Sequence, residues 1–329
     1  MKVTHTGVSR GLRACSGAAR AAGSVAVLAA VSTAIVAGAA SAQTVTTGTG
    51  AMEEVIVFGR DAELLRTARA SSEGSVGGAD LLVRPLLRVA ELLEAVPGMV
   101  AVQHSGSGKA NQYFLRGFNL DHGTDFTTYI DGVPWNLRSH GHGQGYLDVN
   151  GLLPEIVDRI DYRKGPYRAD VGDFSMAAAS FIRTIDRLDA SFLSLEGGQN
   201  DWGRLAAGAT TDIGDGALTT IGEYKTYGGP WQRSEDLSHV SVWSKYLRPT
   251  EFGQISFTLS GYEGDWHPTE QVPERAIGSS ACPDAYCSLD PTAGGNTTRW
   301  IAGTQMSAAG WDASAYLQYY DWNMQSNPT

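Results

Sequence analysis

The chain has 329 residues, a formal net charge of −10 at pH 7, and 42% hydrophobic residues. Such an acidic chain is a poor nucleic-acid binder, because the phosphate backbone repels it. Beyond residue 42 no apolar run is long enough to cross a bilayer as a helix, so a helical membrane protein is excluded and entry into a membrane would require the paired strands of a barrel.

Residues 1–42 predict a removable export signal. The stretch from Val25 to Ala37 is apolar, and Ala40-Ser41-Ala42 is a small-residue cleavage site. The cations before it are Lys2, Arg10, Arg13 and Arg20. A membrane anchor, the alternative, needs about 20 apolar residues, which this stretch does not supply. Cleavage removes four cations and no acids, so residues 43–329 carry −14.

Residues 43–60 predict a flexible N-terminus that holds one short strand-forming segment, residues 53–58. Its sequence is Glu53-Glu54-Val55-Ile56-Val57-Phe58. Such a segment can add itself as a strand to the sheet edge of a partner protein, with backbone hydrogen bonds supplying most of the affinity. An ordinary first strand of the following domain explains the local pattern equally well.

Residues 61–187 mix helical and strand patterns, which predicts a compact α+β domain with its own core. Apolar residues from Val89 to Val96 recur at i, i+3, i+4 and i+7, and Pro97-Gly98 ends this short helix. Asp131-Gly132 predicts a tight hairpin. Further elements are predicted at Met99–Val102, Tyr113–Leu115, Phe126–Ile130, a helical start at Pro154, and Ile160–Arg163.

Residues 188–329 predict antiparallel strands of a transmembrane β-barrel. Phe257 and Leu259 share one face of a strand, and Ser256 and Thr258 share the other. Short turns alternate with long loops, and strand lengths near ten residues favour a membrane barrel over a soluble sandwich or lipocalin-like barrel. The predicted strands are Ala190–Glu196, Trp202–Thr211, Ala217–Tyr227, His239–Leu247, Gln254–Tyr262, Arg299–Met306 and Trp311–Trp322.

Four motifs occur in a fixed order in the α+β domain. They are Leu92-Leu93-Glu94-Ala95-Val96-Pro97-Gly98-Met99, Phe114-Leu115-Arg116-Gly117-Phe118, Tyr129-Ile130-Asp131-Gly132-Val133-Pro134 and Ile160-Asp161-Tyr162-Arg163-Lys164-Gly165-Pro166. In order and spacing they resemble the plug domain of the TonB-dependent receptors. Residues 53–58 resemble the energy-coupling box of that family.

The resemblance implies an outer-membrane receptor whose plug lies inside a barrel of about 22 strands. About seven strands are present, so the chain is expected to be truncated and not to transport by itself. The implied cargo is a scarce nutrient such as a siderophore or another metal chelate, and the implied partners are outer-membrane lipid and an inner-membrane energy-transducing protein acting on the box. Structural roles are implied for Arg116, Gly117, Asp131, Gly132, Gly165 and Pro166.

Histidines and acids in the plug raise the question of a metal site. The candidates are His122, His140, His142, Asp121 and Asp125. Imidazole and carboxylate groups bind zinc, copper, nickel and iron, so a metal or metal chelate could be the transported ligand, with no resident cofactor. The alternative is hydrogen bonding within the plug or against the barrel wall.

A second function class, an exported metal-binding hydrolase, would use His140, His142 and Asp121, with Asp148 or Glu155 as the general base. The sequence offers no further catalytic signature, so no catalytic residue is assigned.

Gly106-Ser107-Gly108-Lys109 lacks the spacing of a phosphate-binding loop and predicts a flexible loop. Cys282 and Cys287 predict a disulfide, since the protein is expected to be exported.

Overall fold

The computed structural model describes residues 70–82, 84, 86, 88–103, 106–267 and 271–326. The predicted signal and the predicted coupling segment at residues 53–58 lie outside this part of the chain. Within it, no helix is both long and apolar enough to cross a membrane. The described residues form an α+β domain, here called the plug, followed by a seven-stranded antiparallel sheet, which confirms the predicted fold class.

The plug consists of eight short strands and small helical segments. The strands are β1 Glu73–Gly77, β2 Met99–Val102, β3 Gln112–Leu115, β4 Phe118–Asn119, β5 Phe126–Ile130, β6 Val133–Pro134, β7 Val157–Lys164 and β8 Ala178–Thr184. The helical segments are α1 Gly78–Leu82 and three short 3₁₀ helices, Val89–Ala95, Pro154–Ile156 and Ala169–Val171.

Five plug strands form a mixed sheet in the order β1-β7-β8-β5-β6, in which β5 and β8 are parallel, and β2, β3 and β4 form a second small sheet. The predicted strands at Met99–Val102 and Phe126–Ile130 are confirmed. The helix predicted from Val89 to Val96 is a 3₁₀ helix that ends at Ala95. Its buried residues, such as Leu92 and Leu93, pack on the plug core, each with about 2 kcal/mol of burial energy.

Two tight turns carry the plug motifs. Arg116 and Gly117, with φ of 53° and 84°, link β3 to β4. Asp131 and Gly132, with φ of 46° and 77°, form the predicted hairpin between β5 and β6. Both residues of each pair have left-handed backbone, which favours glycine at the second position.

The second part is a meander in which each strand pairs with its neighbour in sequence. The strands are β9 Phe192–Gly197, β10 Gly203–Ile213, β11 Gly216–Tyr227, β12 Leu237–Thr250, β13 Gly253–Trp266, β14 Gly294–Ala308 and β15 Trp311–Gln325. All seven predicted strands are present. Most extend beyond the predicted bounds, because ladder pairing continues through polar residues that break the apolar alternation.

The sheet has its polar face inward. On β13, Phe257 is 51% exposed on the outer face, whereas Ser256 is 5% exposed and covered by the rest of the molecule. A soluble sandwich would bury the apolar face, so this inverted alternation is the pattern of a membrane barrel. Three apolar side chains on the inner face, Ile221, Trp243 and Ile301, join the hydrophobic core of the plug.

The two ends of the sheet differ in their connections. Short turns join β10 to β11, β12 to β13 and β14 to β15 at one end, here called the short-turn end. Longer segments, residues 228–236 and 267–293, join strands at the opposite end, here called the long-loop end. The second segment contains a disulfide between Cys282 and Cys287, whose Cα atoms lie 5.2 Å apart.

Candidate functional site

At the short-turn end, a buried lysine on the sheet binds the plug. Lys245 Nζ lies 2.8 Å from Asp186 Oδ1 and 3.6 Å from Asp131 Oδ2, and it donates to the carbonyl oxygen of Thr184 at 3.3 Å. The Asp131 carboxylate also accepts hydrogen bonds from the backbone N–H and hydroxyl of Thr184. The hairpin between β5 and β6 is thus tied to both β8 and β12.

Arg204, on β10, makes a second charged contact between the sheet and the plug. Its guanidinium lies 2.7 Å from Glu155 Oε1 of the plug and 2.8 Å from Glu196 Oε1 of β9, and it also pairs with Glu223 of β11. The guanidinium is largely buried, and its three acidic partners compensate its desolvation. This network connects the start of β7 to three strands.

Arg299, on β14, makes the third contact and is fully buried. Its Nη1 donates to the carbonyl oxygen of Asp148 and its Nη2 to that of Trp135, both at 2.8 Å, and the guanidinium lies 4.3 Å from the Trp135 ring centre. The Asp148 carboxylate accepts hydrogen bonds from the hydroxyls of Tyr262 and Tyr320 on the sheet. Asp148 therefore anchors the plug to three strands.

At the long-loop end, the fold brings together three of the predicted metal candidates. One donor atom from each of Asp121, His122 and His142 lies within 4.8 Å of the other two. His122 Nε2 is 3.8 Å from Asp121 Oδ1, and the His122 and His142 ring centres are 4.5 Å apart. Asp121 and His122 follow β4, and His142 lies in the loop that precedes Tyr146.

His140 lies beside this group and contacts aromatic rings. It stacks on Tyr146 with ring centres 3.9 Å apart, and its ring centre is 4.7 Å from that of Trp322 on β15. Its Nδ1 accepts the backbone N–H of His142 at 3.1 Å, and its Nε2 is buried. Burial lowers the pKa of His140, which keeps the ring neutral.

Asp125, the fifth predicted candidate, is not part of the group. Its backbone carbonyl oxygen accepts the N–H groups of Ala177 and Ala178, which places the residue at the start of the β5–β8 pairing.

The implied structural residues are found in turns. Gly165 has a φ of 90° and donates its N–H to the Ala177 carbonyl, and the exposed Pro166 follows it.

The residues needed by a hydrolase have other contacts. Asp148 is buried beneath the hydroxyls of Tyr262 and Tyr320, and Glu155 forms an ion pair with Arg204. Both carboxylates are therefore engaged by side chains of the sheet. The loop from Gly106 to Lys109, predicted to be flexible, is held in place: Ser107 N–H donates to Glu235 at 2.9 Å, and Lys109 is buried. That prediction was wrong, because tertiary contacts fix a loop that has no local restraint.

Several functional residues had no sequence signal of their own. Lys245, Arg204 and Arg299 are isolated charges within alternating strands. Their position on the inward face of a spanning strand is a usable clue, because a charge there needs a partner inside the barrel. The aromatic wall around His140 could not be predicted, since Trp322 comes from the last described strand.

Comparison with known proteins gives one family match and several similar folds. Residues 66–179 match the model of the TonB-dependent Receptor Plug Domain family. The fold is similar to that of FpvA from P. aeruginosa, solved with a bound heterologous pyoverdine and iron, with a TM-score of 0.58 and 15% identity over 77% of this chain and 34% of that one.

Two further solved structures are similar. The copper transporter OprC has a TM-score of 0.58 and 15% identity over 79% of this chain and 39% of its own. The siderophore receptor PiuA from Acinetobacter baumannii has a TM-score of 0.55 and 14% identity over 76% and 37%. The chain therefore spans between about a third and two fifths of the length of these proteins. Motifs and family match together identify residues 66–179 as a TonB-dependent receptor plug domain, which seven antiparallel strands follow in the fold.

Proposed function

We propose that this chain is the plug and part of the barrel wall of an energy-coupled outer-membrane receptor that takes up a metal ion or metal chelate. The observation that carries the proposal is the position of the plug against the inward, polar face of strands whose outer face is apolar. A plug in this position blocks the lumen, so cargo passes only when the plug moves. Long loops of such barrels are extracellular, so the long-loop end receives the cargo.

The plug must be held firmly yet released by a periplasmic partner. The contacts of Lys245, Arg204 and Arg299 hold it through ion pairs and hydrogen bonds, beside the apolar contacts of the inner face. Polar contacts of this kind can be exchanged for water as the plug shifts. The force would come from an inner-membrane energy-transducing protein that binds residues 53–58 by strand addition.

Uptake by cells that carry the receptor tests this function. Val55→Pro removes a backbone donor from the added strand and is expected to abolish energy-dependent uptake of radiolabelled zinc or a ferric siderophore while outer-membrane levels stay normal. Thr46→Pro, outside the coupling segment, is the matched control and should leave uptake unchanged. Undiminished uptake by the Val55→Pro receptor would refute the coupling role.

The hydrolase alternative is not favoured, because both of its candidate bases are engaged between plug and sheet. Of the similar proteins named above, PiuA is a siderophore receptor and OprC is a copper transporter. Transport also requires no chemical change in the cargo, and the histidine group at the long-loop end needs only to bind.

A further inference from the structure

The group formed by Asp121, His122 and His142 has the composition of a metal site. Within the part of the chain that the structure describes, it is the one group of three or more histidine, cysteine or acidic residues whose donor atoms converge. The carboxylate of Asp121 is half exposed and the imidazole of His122 is buried. One side of the group thus faces solvent and the other is built into the plug.

The buried histidine is oriented for binding. His122 Nδ1 lies 2.9 Å from the carbonyl oxygen of Ala110 and 3.0 Å from that of Asn111. Two acceptors at this nitrogen require it to carry the proton, so Nε2 holds the lone pair and points towards Asp121. Metal-binding histidines are commonly fixed in this way by a hydrogen bond from the opposite ring nitrogen.

Asp121 is held equally firmly through its backbone. Its N–H donates to Asn119 Oδ1 at 2.9 Å, and its carbonyl accepts the N–H of Tyr113 at 2.8 Å. Its φ of 48° lies in the left-handed region, which an aspartate tolerates better than most residues. These contacts fix the backbone from which the carboxylate extends, without using its oxygens as acceptors.

His142 supplies the adjustable ligand. It lies between Gly141 and Gly143, and a Cβ atom at Gly143 would be 3.4 Å from Asp121 Oδ2, so the loop passes close to the carboxylate. Ligand atoms of a tetrahedral site stand about 3.3 Å apart, given metal–ligand bonds of about 2.0–2.1 Å. The donor atoms lie within 4.8 Å of one another, so binding a metal requires them to approach by up to about 1.5 Å.

An aromatic wall borders the group on the side of the sheet. The ring centres of Tyr146 and Trp322 lie 5.9 Å and 6.3 Å from that of His142. Trp322 belongs to β15, so the group lies at the boundary between plug and barrel wall. Low polarity on one side strengthens the attraction between a cation and the Asp121 carboxylate.

We propose that Asp121, His122 and His142 form a binding site for a divalent transition-metal ion of the zinc, copper or nickel class. Two imidazoles and one carboxylate suit these ions, whereas calcium and magnesium prefer oxygen ligands alone. Three protein ligands leave a coordination position for water or for a donor atom of a chelate. The role of the site in receiving cargo rests on the proposed function, but metal binding itself does not.

The test is calorimetric titration of the purified full chain in detergent micelles with Zn²⁺, Cu²⁺ and Ni²⁺ salts. We expect one site per chain, with affinity reduced by about one to two orders of magnitude in His142→Ala and in Asp121→Asn. Both changes lie in exposed or partly exposed positions, and asparagine keeps the left-handed backbone. His267→Ala is the matched control, because His267 is an exposed histidine beside Asp236 in a loop.

Electron paramagnetic resonance of bound Cu²⁺ provides a second readout that a merely structural effect would not produce. The parent chain is expected to show hyperfine coupling to two imidazole nitrogens and His142→Ala to one. Unaltered binding in both variants, an equal loss in His267→Ala, or the absence of a stoichiometric site for all three ions would overturn the proposal.

Two further experiments complete the test. The first distinguishes a chelated metal from a hydrated ion, and the second distinguishes failure of the metal site from failure of the proposed uptake function. Titration with Zn²⁺ held by nitrilotriacetate, compared with Zn²⁺ alone, distinguishes a chelate from a hydrated ion; in either case the binding must depend on His142. Uptake that persists in Val55→Pro while the site still binds metal would refute the proposed function alone. If uptake requires residues 53–58 but the plug binds no metal, the metal site is refuted and the proposed function stands.

Discussion

The plug meets the sheet through two chemically different regions. At the short-turn end, the buried ammonium of Lys245 lies between the carboxylates of Asp131 and Asp186, so the cation is paired within the protein. At the long-loop end beside β15, His122 and His142 lie among aromatic rings, and Asp121 places a carboxylate oxygen within 4.8 Å of their donor nitrogens. In the first region the cation is a side chain of the protein. In the second region the donor atoms of Asp121, His122 and His142 can accept a cation from solvent.

The difference indicates that the Lys245 contact holds the plug, whereas the group of Asp121, His122 and His142 is available to a ligand. A receptor needs its plug secured on the side where force is applied and responsive on the side where cargo arrives. Ion pairs with several partners resist displacement until the contact as a whole is disrupted. Single imidazole ligands on a glycine-flanked loop can rearrange at low cost.

Loss of Lys245 should have the largest effect on the short-turn region. Lys245→Met leaves the Asp131 carboxylate largely buried without its cation, so the plug should be destabilised by about 3 kcal/mol. The measurement is chemical unfolding of the purified chain in micelles. Arg248→Met, which removes an exposed partner of Asp215 on the same strand, is the control and should cost less than about 1 kcal/mol.

The same variant sharpens the comparison between the two regions. Metal affinity at the long-loop end should stay within about twofold of the parent value in Lys245→Met, because sites without shared partners behave additively. A parallel loss of metal binding would mean that the two regions are not independent.

A smaller effect is expected where the plug loop touches the sheet at the long-loop end. A Cβ atom at Gly108 would lie 1.8 Å from a ring carbon of Trp266, so Gly108→Ala forces the loop or the indole to move. Overpacking of this kind costs about 1 to 3 kcal/mol. Gly77→Ala, where a Cβ meets no atom within 4 Å, is the matched control. Equal melting temperatures of the two variants would show that the Gly108 loop is mobile after all.

The fold was largely predictable because its signals are local. Alternation over ten residues defines a spanning strand, and Asp131-Gly132 defines a hairpin. Strand β8 was missed because Ala178, Ala179 and Ser180 are too small to show a pattern, although all three are buried in the centre of the plug sheet. The 3₁₀ form of the segment from Val89 to Ala95 was missed because the apolar spacing also fits an α-helix.

The candidate site was predictable only as a set of residue types. Sequence reasoning proposed five ligands, and the fold groups three of them, because distances depend on how loops are held. Ala110 and Asn111 orient His122 through their carbonyl oxygens, and no side-chain pattern reports a carbonyl contact. His140 was indistinguishable from His142 in sequence, yet it stacks on Tyr146.

The central claim, that the plug lies against the inner face of the strands and moves for uptake, is tested most directly by a disulfide across the contact. A Cβ atom at Gly132 would lie 3.6 Å from Ser314 Cβ on β15, which is within disulfide reach. In Gly132→Cys/Ser314→Cys we expect the two thiols to join on oxidation, and uptake to stop until a reductant is added. Thiols that remain alkylable in the correctly inserted receptor, or full uptake with the bond formed, would contradict the account.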